Sequence, residues 1–268
     1  MIIKKILLPT DFSTFAQKAV DYAISLFGTD GVEYTLLNLY HEPHAAATSM
    51  ISLVDLAMQD SRNSLLEEVE HFKSKYGDSL LINYLSEYGE GGKQITVLAK
   101  RYHHDLVVMG SKGASGLKEV LIGSVAADTM KHALLPVIMV PEGDWAKPGN
   151  ILVAIDDSTD AALVNKVRSL ATQFNSRLTF LKVNVDEAVP EALAEDFLRP
   201  DFVAINENFT QVQAEDPVDG IIDFAKSNQI DMLVMFPGNH SFFERLFKRS
   251  NTSRVAMHSK IPMLSLHK

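Results

Sequence analysis

Two clusters of residues in this 268-residue chain have the types and spacing that can hold a phosphorylated ligand. The first is Pro9-Thr10-Asp11, which ends the apolar run near the start of the sequence. The second is Met109-Gly110-Ser111-Lys112-Gly113-Ala-Ser-Gly116, followed by Gly123-Ser124-Val125. Glycines let a backbone approach a ligand closely and point several N–H groups at it, and a helix opening at Ser124 adds unpaired donors and a partial positive charge. Such a turn suits a polyphosphate. Lys112 adds charge, the hydroxyls of Ser111 and Ser124 can donate to phosphate oxygens, and Asp11 can accept from a ribose hydroxyl or an adenine amine. The competing reading is architectural: glycines after a strand also make plain turns, and Ser124 is then an ordinary N-cap. Neither GxxxxGK[ST] nor GxGxxG, the two best-understood phosphate loops, occurs in the chain.

An internal repeat decides how these clusters are positioned. Ile6-Leu-Leu-Pro-Thr-Asp11-Phe-Ser13 matches Ile151-Leu-Val-Ala-Ile-Asp156-Asp-Ser158 at a spacing of 145 residues. Ile95, Leu98 and Asp105-Leu-Val-Val-Met109 match Ile221, Phe224 and Asp231-Met-Leu-Val-Met235 at a spacing of 126, as His132 and Pro136 match His258 and Pro262. The second copy is therefore 19 residues shorter between its second and third strands, where the first copy has a long helical stretch. Two related domains follow, 1–144 and 145–268, with Pro148-Gly149 near the join.

Each copy alternates β-branched runs with helical periodicity, the pattern of βαβ units and a parallel α/β sheet. In the first copy the strands are expected at 2–9, 33–39, 80–86, 105–109 and 136–140, and the helices at 14–28, 54–75, 92–103 and 122–133. In the second copy the strands are expected at 150–155, 178–183, 208–213, 231–235 and 262–266. Leu106-Val-Val-Met and Val137-Ile-Met-Val140 are apolar on both faces, as strands covered by helices on both sides must be. In such open sheets ligands sit outside the carboxyl ends of strands where strand order reverses, which brings the Asp11 and Gly110 clusters together.

These residues resemble the universal stress protein family over essentially the whole length, as a tandem of two such domains. The ATP-binding members carry Gly-x-x-Gly, nine residues, then Gly-Ser or Gly-Thr; Gly110-Ser-Lys-Gly113 followed by Gly123-Ser124 is similar to that pattern. The resemblance implies a five-stranded parallel sheet of order 3-2-1-4-5 in each domain, flanked by helices, with the two domains packed as a pseudo-dimer. It also implies one ATP with magnesium in the first domain. Amides of Ser111 to Gly113 and of Ser124 to Val125 would then cradle the phosphates, Asp11 would hold ribose or base, and Pro9, Leu39 and Met109 would wall the adenine. Aligned at 126, the second copy has Phe236, Asn239, Phe242 and Arg249 in place of Gly110, Gly113, Gly116 and Gly123, so no ATP is expected there. No general base is legible, which makes hydrolysis very slow or nil and a sensing or signalling role the expectation. The alternatives are a nucleotide-free scaffold that recruits a partner protein, its domains paired through 136–140 and 262–266, and a very slow ATPase.

Composition narrows the rest. The chain has no cysteine, which excludes disulfides, thiolate metal sites and a cysteine nucleophile. The net charge of -9 argues against nucleic acid as a partner. The apolar run at the start stops at Pro9 and no later run is long enough to span a bilayer, so a cytoplasmic protein without membrane contact is expected. Gly77-Asp-Ser-Leu80 spells a hydrolase string but lacks the Asp-x-x-His that would supply its base. His41-Glu-Pro-His44 is a weak candidate for zinc. His103-His104 reads as a helix end where imidazolium meets the dipole, Glu67, Glu68 and Glu70 read as the solvated side of the long helix, and 240–249 reads as an amphipathic surface segment.

Overall fold

A computed structural model describes residues 2–41, 53–113, 122–156, 159–184, 207–236 and 261–267. They form two compact units, the first ending at Asp144 and the second beginning at Trp145. Among the described residues no helix is long and apolar enough to cross a membrane.

The first unit runs β1 (Lys5–Pro9), α1 (Thr14–Phe27), β2 (Glu33–Tyr40), α2 (Leu53–Tyr76), β3 (Ile82–Tyr88), α3 (Gly92–Arg101), β4 (Leu106–Gly110), α4 (Ser124–His132) and β5 (Val137–Val140). All its strand pairs are parallel, in the order β3-β2-β1-β4-β5. β1 lies at the centre, where Ile6 faces Tyr34 on one side and Leu106 on the other. Every residue of β4 and β5 is buried, as a parallel strand covered on both faces requires. α1 starts at Ser13, whose side chain accepts from the Ala16 amide, and stops at Gly28 with φ 78°. Its buried face is rich in small residues, including Ala16, Ala19 and Ala23, which lets the helix lie close on β1 and β4.

The second unit runs β6 (Asn150–Ile155), α5 (Ala161–Phe174), β7 (Arg177–Asn184), β8 (Glu207–Gln213), α6 (Pro217–Ser227), β9 (Met232–Met235) and β10 (Met263–Ser265). Its strands pair in parallel as β8-β7-β6-β9-β10. α5 is capped by Asp160, α6 by Asp216 with Pro217 following, both standard helix starts. Arg168 of α5 is buried and meets Glu207 of β8 through two hydrogen bonds, Nε to Oε1 at 2.8 Å and Nη2 to Oε2 at 2.9 Å.

Three local readings of the sequence need correction. β1 begins at Lys5 rather than residue 2, because the Asp105 carboxylate takes the amides of Lys4 and Lys5 at 2.8 and 2.9 Å where a strand partner would otherwise sit. β3 occupies Ile82–Tyr88, not 80–86: Leu80 is still in the Gly77 turn, and β2 pairs with β3 from Tyr34↔Ile82 to Tyr40↔Tyr88. α3 ends at Arg101, and His103 follows in the left-handed region with φ 57°. Burial lowers the pKa of His104, which favours the neutral ring over the imidazolium expected at a helix end.

Candidate functional site

The chain order reverses at β1, whose two neighbours β2 and β4 lead to opposite edges of the sheet. A cavity of about 370 Å³ opens there, at the carboxyl ends of the strands. β1 and its following turn bring Pro9, Thr10 and Asp11 to the wall, and β2 brings Leu39. β4 and its loop bring Met109, Gly110, Lys112 and Gly113, and the start of α4 brings Gly123, Ser124 and Val125. Ser111 is the one expected site residue that does not line the cavity. Its side chain is 1 % exposed, its amide donates to Val140 O at 2.8 Å and its carbonyl accepts from the Gly123 amide at 2.7 Å. Ser111 thus fastens the loop to β5 and α4 through its backbone, so its amide is taken by Val140, while its hydroxyl is buried without a hydrogen-bond partner.

Two glycines define the space. A Cβ on Gly113 would stand 2.6 Å from Asp11 Oδ2, so the loop after β4 and the turn after β1 face each other closely, and a side chain there would displace the Asp11 carboxylate. A Cβ on Gly110 would meet the Phe15 carbonyl oxygen at 3.0 Å. Ser124 is not the N-cap of α4: Gly123 holds that position and no side chain caps the helix. The first turn of α4 therefore offers backbone donors and the positive end of a dipole toward the cavity.

Asp11 is oriented from its own turn. Its Oδ1 accepts from the Ser13 hydroxyl at 2.5 Å and the Ser13 amide at 3.2 Å. Asn38 Nδ2 donates to Thr10 O at 2.9 Å and the Thr10 amide donates to Leu37 O at 2.8 Å, which binds the turn to β2. The Lys112 ammonium lies 3.5 Å from Glu142 and 5.8 Å from the Phe15 ring centroid, so part of its charge is already engaged at the cavity wall.

One wall escaped the sequence reading. Gly89, Glu90 and Gly91, between β3 and α3, also line the cavity, beside Ile95 of α3 and His41. The glycines take φ 143° and 84°, the Gly89 amide donates to Tyr40 O, and Gln94 Nε2 donates to Tyr88 O at 2.7 Å. The available signal was the glycine cluster Gly89-Glu-Gly-Gly92 directly after a strand. Gly92 is also required: a Cβ there would strike the Thr129 amide nitrogen of α4. Of the weak zinc candidate only His41 is described; 42–44 lie outside the described residues, as does Gly116. Among the described residues no group of three or more His, Asp or Glu is arranged to hold a metal.

A further correction concerns α2. Glu67 and Glu70 are exposed as expected, but Glu68 is 6 % exposed. Burial raises its pKa most, opposed by the Thr10 hydroxyl and the Gln17 amide.

The second unit differs at the matching positions. Phe236, 8 % exposed, follows β9 where Gly110 closes β4, and Lys182, 9 % exposed, takes the place in β7 that Asn38 has in β2. Asp156 is engaged by Thr159, whose hydroxyl lies 3.2 Å from Oδ1. Asn239, Phe242, Arg249 and the segment 240–249 lie outside the described residues.

The fold and its crevice define a doubly wound parallel α/β domain, present twice. The sequence model of the universal stress protein family matches residues 3–141 and again 148–267, so the chain belongs to that family and carries two of its domains in tandem. Universal stress protein MJ0531 of Methanocaldococcus jannaschii is 28% identical over 142 residues, covering 52% of this chain and 82% of its own. Universal stress protein MJ0577 of the same organism is 28% identical over 155 residues, covering 52% of this chain and 96% of its own. The crystal structure of a universal stress protein from Archaeoglobus fulgidus superposes with a TM-score of 0.76 at 19% identity, covering 98% of this chain and 96% of that one, and so shares the fold.

Proposed function

We propose that the first unit binds one ATP, with magnesium, and that the chain is a cytoplasmic nucleotide-dependent sensor or signalling module. The observation that carries this reading is the apposition of Gly113 and Asp11 beside the uncapped start of α4. A glycine loop that comes close to a carboxylate, that carboxylate, which accepts from hydroxyls or an amine, and a bare helix N-terminus are the complements of a phosphate chain, a ribose and a base. The cavity volume lies in the range of small-ligand sites. The phosphates would meet the amides of Gly113, Ser124 and Val125, the base would lie among Pro9, Leu39 and Met109, and magnesium would be held chiefly by phosphate oxygens and water. The second unit would bind no ATP, because Phe236 occupies the turn that must approach a phosphate.

Calorimetric titration of nucleotide-stripped protein with magnesium ATP, beside Gly113→Arg and with ADP release followed, tests the reading. Heat in the wild type that is absent from a folded variant supports it. No heat at millimolar nucleotide overturns it in favour of a nucleotide-free scaffold, and ADP release abolished in the variant would make the module a slow ATPase.

A further inference from the structure

The turn from Gly89 to Gly91 lines the cavity and is tied to the end of β2, where the Gly89 amide donates to Tyr40 O at 2.9 Å. Both glycines have positive φ, 143° and 84°, and α3 starts at Gly91 without a side-chain cap. Glycines give up much backbone freedom when they are ordered, so a turn built on two of them needs a hold from outside its own residues.

Gln94 supplies that hold. It stands at the third position of α3, and its amide reaches back across the turn: Nε2 donates to Tyr88 O at 2.7 Å, and Oε1 accepts from the Glu90 amide at 3.2 Å. The two partners fix which way the side-chain amide points, because the reverse orientation would set oxygen against oxygen and N–H against N–H. This is the reach of a capping box, moved one residue upstream of the helix start. Gly89 permits it, since a Cβ there would overlap Gln94 Oε1. The helix itself has a separate anchor: Asp128 Oδ2 of α4 accepts from the Lys93 amide at 2.8 Å, and Gly92 packs so closely on α4 that a Cβ would strike its backbone. Gln94 is thus not needed to attach α3, and its two hydrogen bonds act on the turn.

We propose that Gln94 is a positioning residue: by bridging Tyr88 O and the Glu90 amide it holds the 89–91 turn as the cavity wall that meets the nucleoside end of the ligand. The turn joins the cavity at the end of β2, where Leu39 would wall the base, whereas the phosphates have their own supports at Gly113 and the start of α4. Its effect on a ligand rests on the ATP reading above; its effect on the turn does not.

The test uses the full chain with Gln94→Met, which keeps side-chain length and helix propensity but loses both hydrogen bonds, and Gln94→Glu, which keeps an acceptor for the Glu90 amide. Hydrogen exchange at Glu90 is followed by NMR, stability by denaturant unfolding, and binding of magnesium ATP and of magnesium tripolyphosphate by calorimetry. Glu90 exchange is expected to quicken about fivefold in Gln94→Met and to stay within about twofold of wild type in Gln94→Glu. ATP is expected to bind about tenfold more weakly to Gln94→Met, because a loosened wall must be ordered again on binding, while tripolyphosphate binding and unfolding stay as in wild type. Unchanged Glu90 exchange in Gln94→Met overturns the proposal whatever ATP does. Equal losses for ATP and tripolyphosphate, or no loss for ATP, overturn its route to the nucleoside. Faster exchange in the variant of a chain whose wild type binds no ATP supports the hold on the turn and overturns the ATP reading instead.

Discussion

In the first unit, β4 ends on Gly110, and α3 and α4 start at Gly91 and Gly123, neither of which supplies a side-chain cap. In the second unit, β9 is followed by buried Phe236, and α6, the counterpart of α3, starts at Asp216, whose carboxylate accepts from the Val218 amide at 2.8 Å. Asn38 beside Thr10 becomes buried Lys182, and Asp156 is engaged by Thr159. The same strand order thus supports two outcomes. Among the described residues, one unit leaves backbone donors and space at its switch point, and the other carries side chains at the positions that match Gly110, Asn38 and the start of α3. Function in this architecture is located by what the fold leaves unsatisfied, not by the fold itself.

The largest expected effect is on the stability of the second unit. Arg168→Met leaves Glu207, whose side chain is 11 % exposed, without its cation and should destabilise that unit by about 4 kcal/mol in denaturant unfolding, while ATP binding in the first unit is unchanged. If binding falls with it, the two units are not functionally separate and the comparison fails. Next comes Gly113→Arg, which places a side chain against Asp11 and is expected to weaken ATP binding at least about a hundredfold, roughly 3 kcal/mol by calorimetry.

Acid should act on the second unit by a smaller amount. Burial lowers the pKa of His267 to about 4, and its Nε2 lies 2.9 Å from Ser265 Oγ. The unfolded chain takes up a proton near pH 6.5 that the folded chain refuses until about pH 4, so this stability is fully present above pH 6.5 and lost as pH falls toward 4. The loss is on the order of 2 kcal/mol once partial exposure is allowed for, and unfolding of His267→Gln should show a flatter profile across that window. The smallest effect is that of Asp11→Ala, which removes one acceptor from the ligand and should weaken ATP about tenfold with little change in unfolding. An unaltered affinity would place the sugar and base away from Asp11.

How much of this was legible in the sequence follows from the physics of each feature. The apolar runs of β4 and β5 and the repeat at Asp11 and Asp156 declared the sheet, because burial on both faces leaves a composition that few other structures share. Gly110, Gly113 and Gly123 were legible because each stands at a strand end or helix start, where a missing side chain has a purpose. The wall from Gly89 to Gly91 was not, since its approach to the cavity depends on how the turn after β3 folds over the sheet, and periodicity carries no such information. Glu68 was misread for a related reason: in Glu67-Glu68-Val69-Glu70 a helical pattern shows that one carboxylate must lie near the buried face, but not that Gln17 waits for it there. Ser111 has the right type in the right loop, yet its amide and carbonyl are taken by Val140 and Gly123 and the residue is buried.

The two units are expected to differ in their capacity for nucleotide. Amide chemical shifts of the full chain, recorded as magnesium ATP is added and paired with calorimetric stoichiometry, test it most directly. One ATP per chain is expected, with shifts concentrated at Asp11, Gly110, Gly113 and Ser124 to Ala126 and none at Asp156, Lys182 or Phe236. Two ATP per chain, or shifts centred on the second unit, would contradict it.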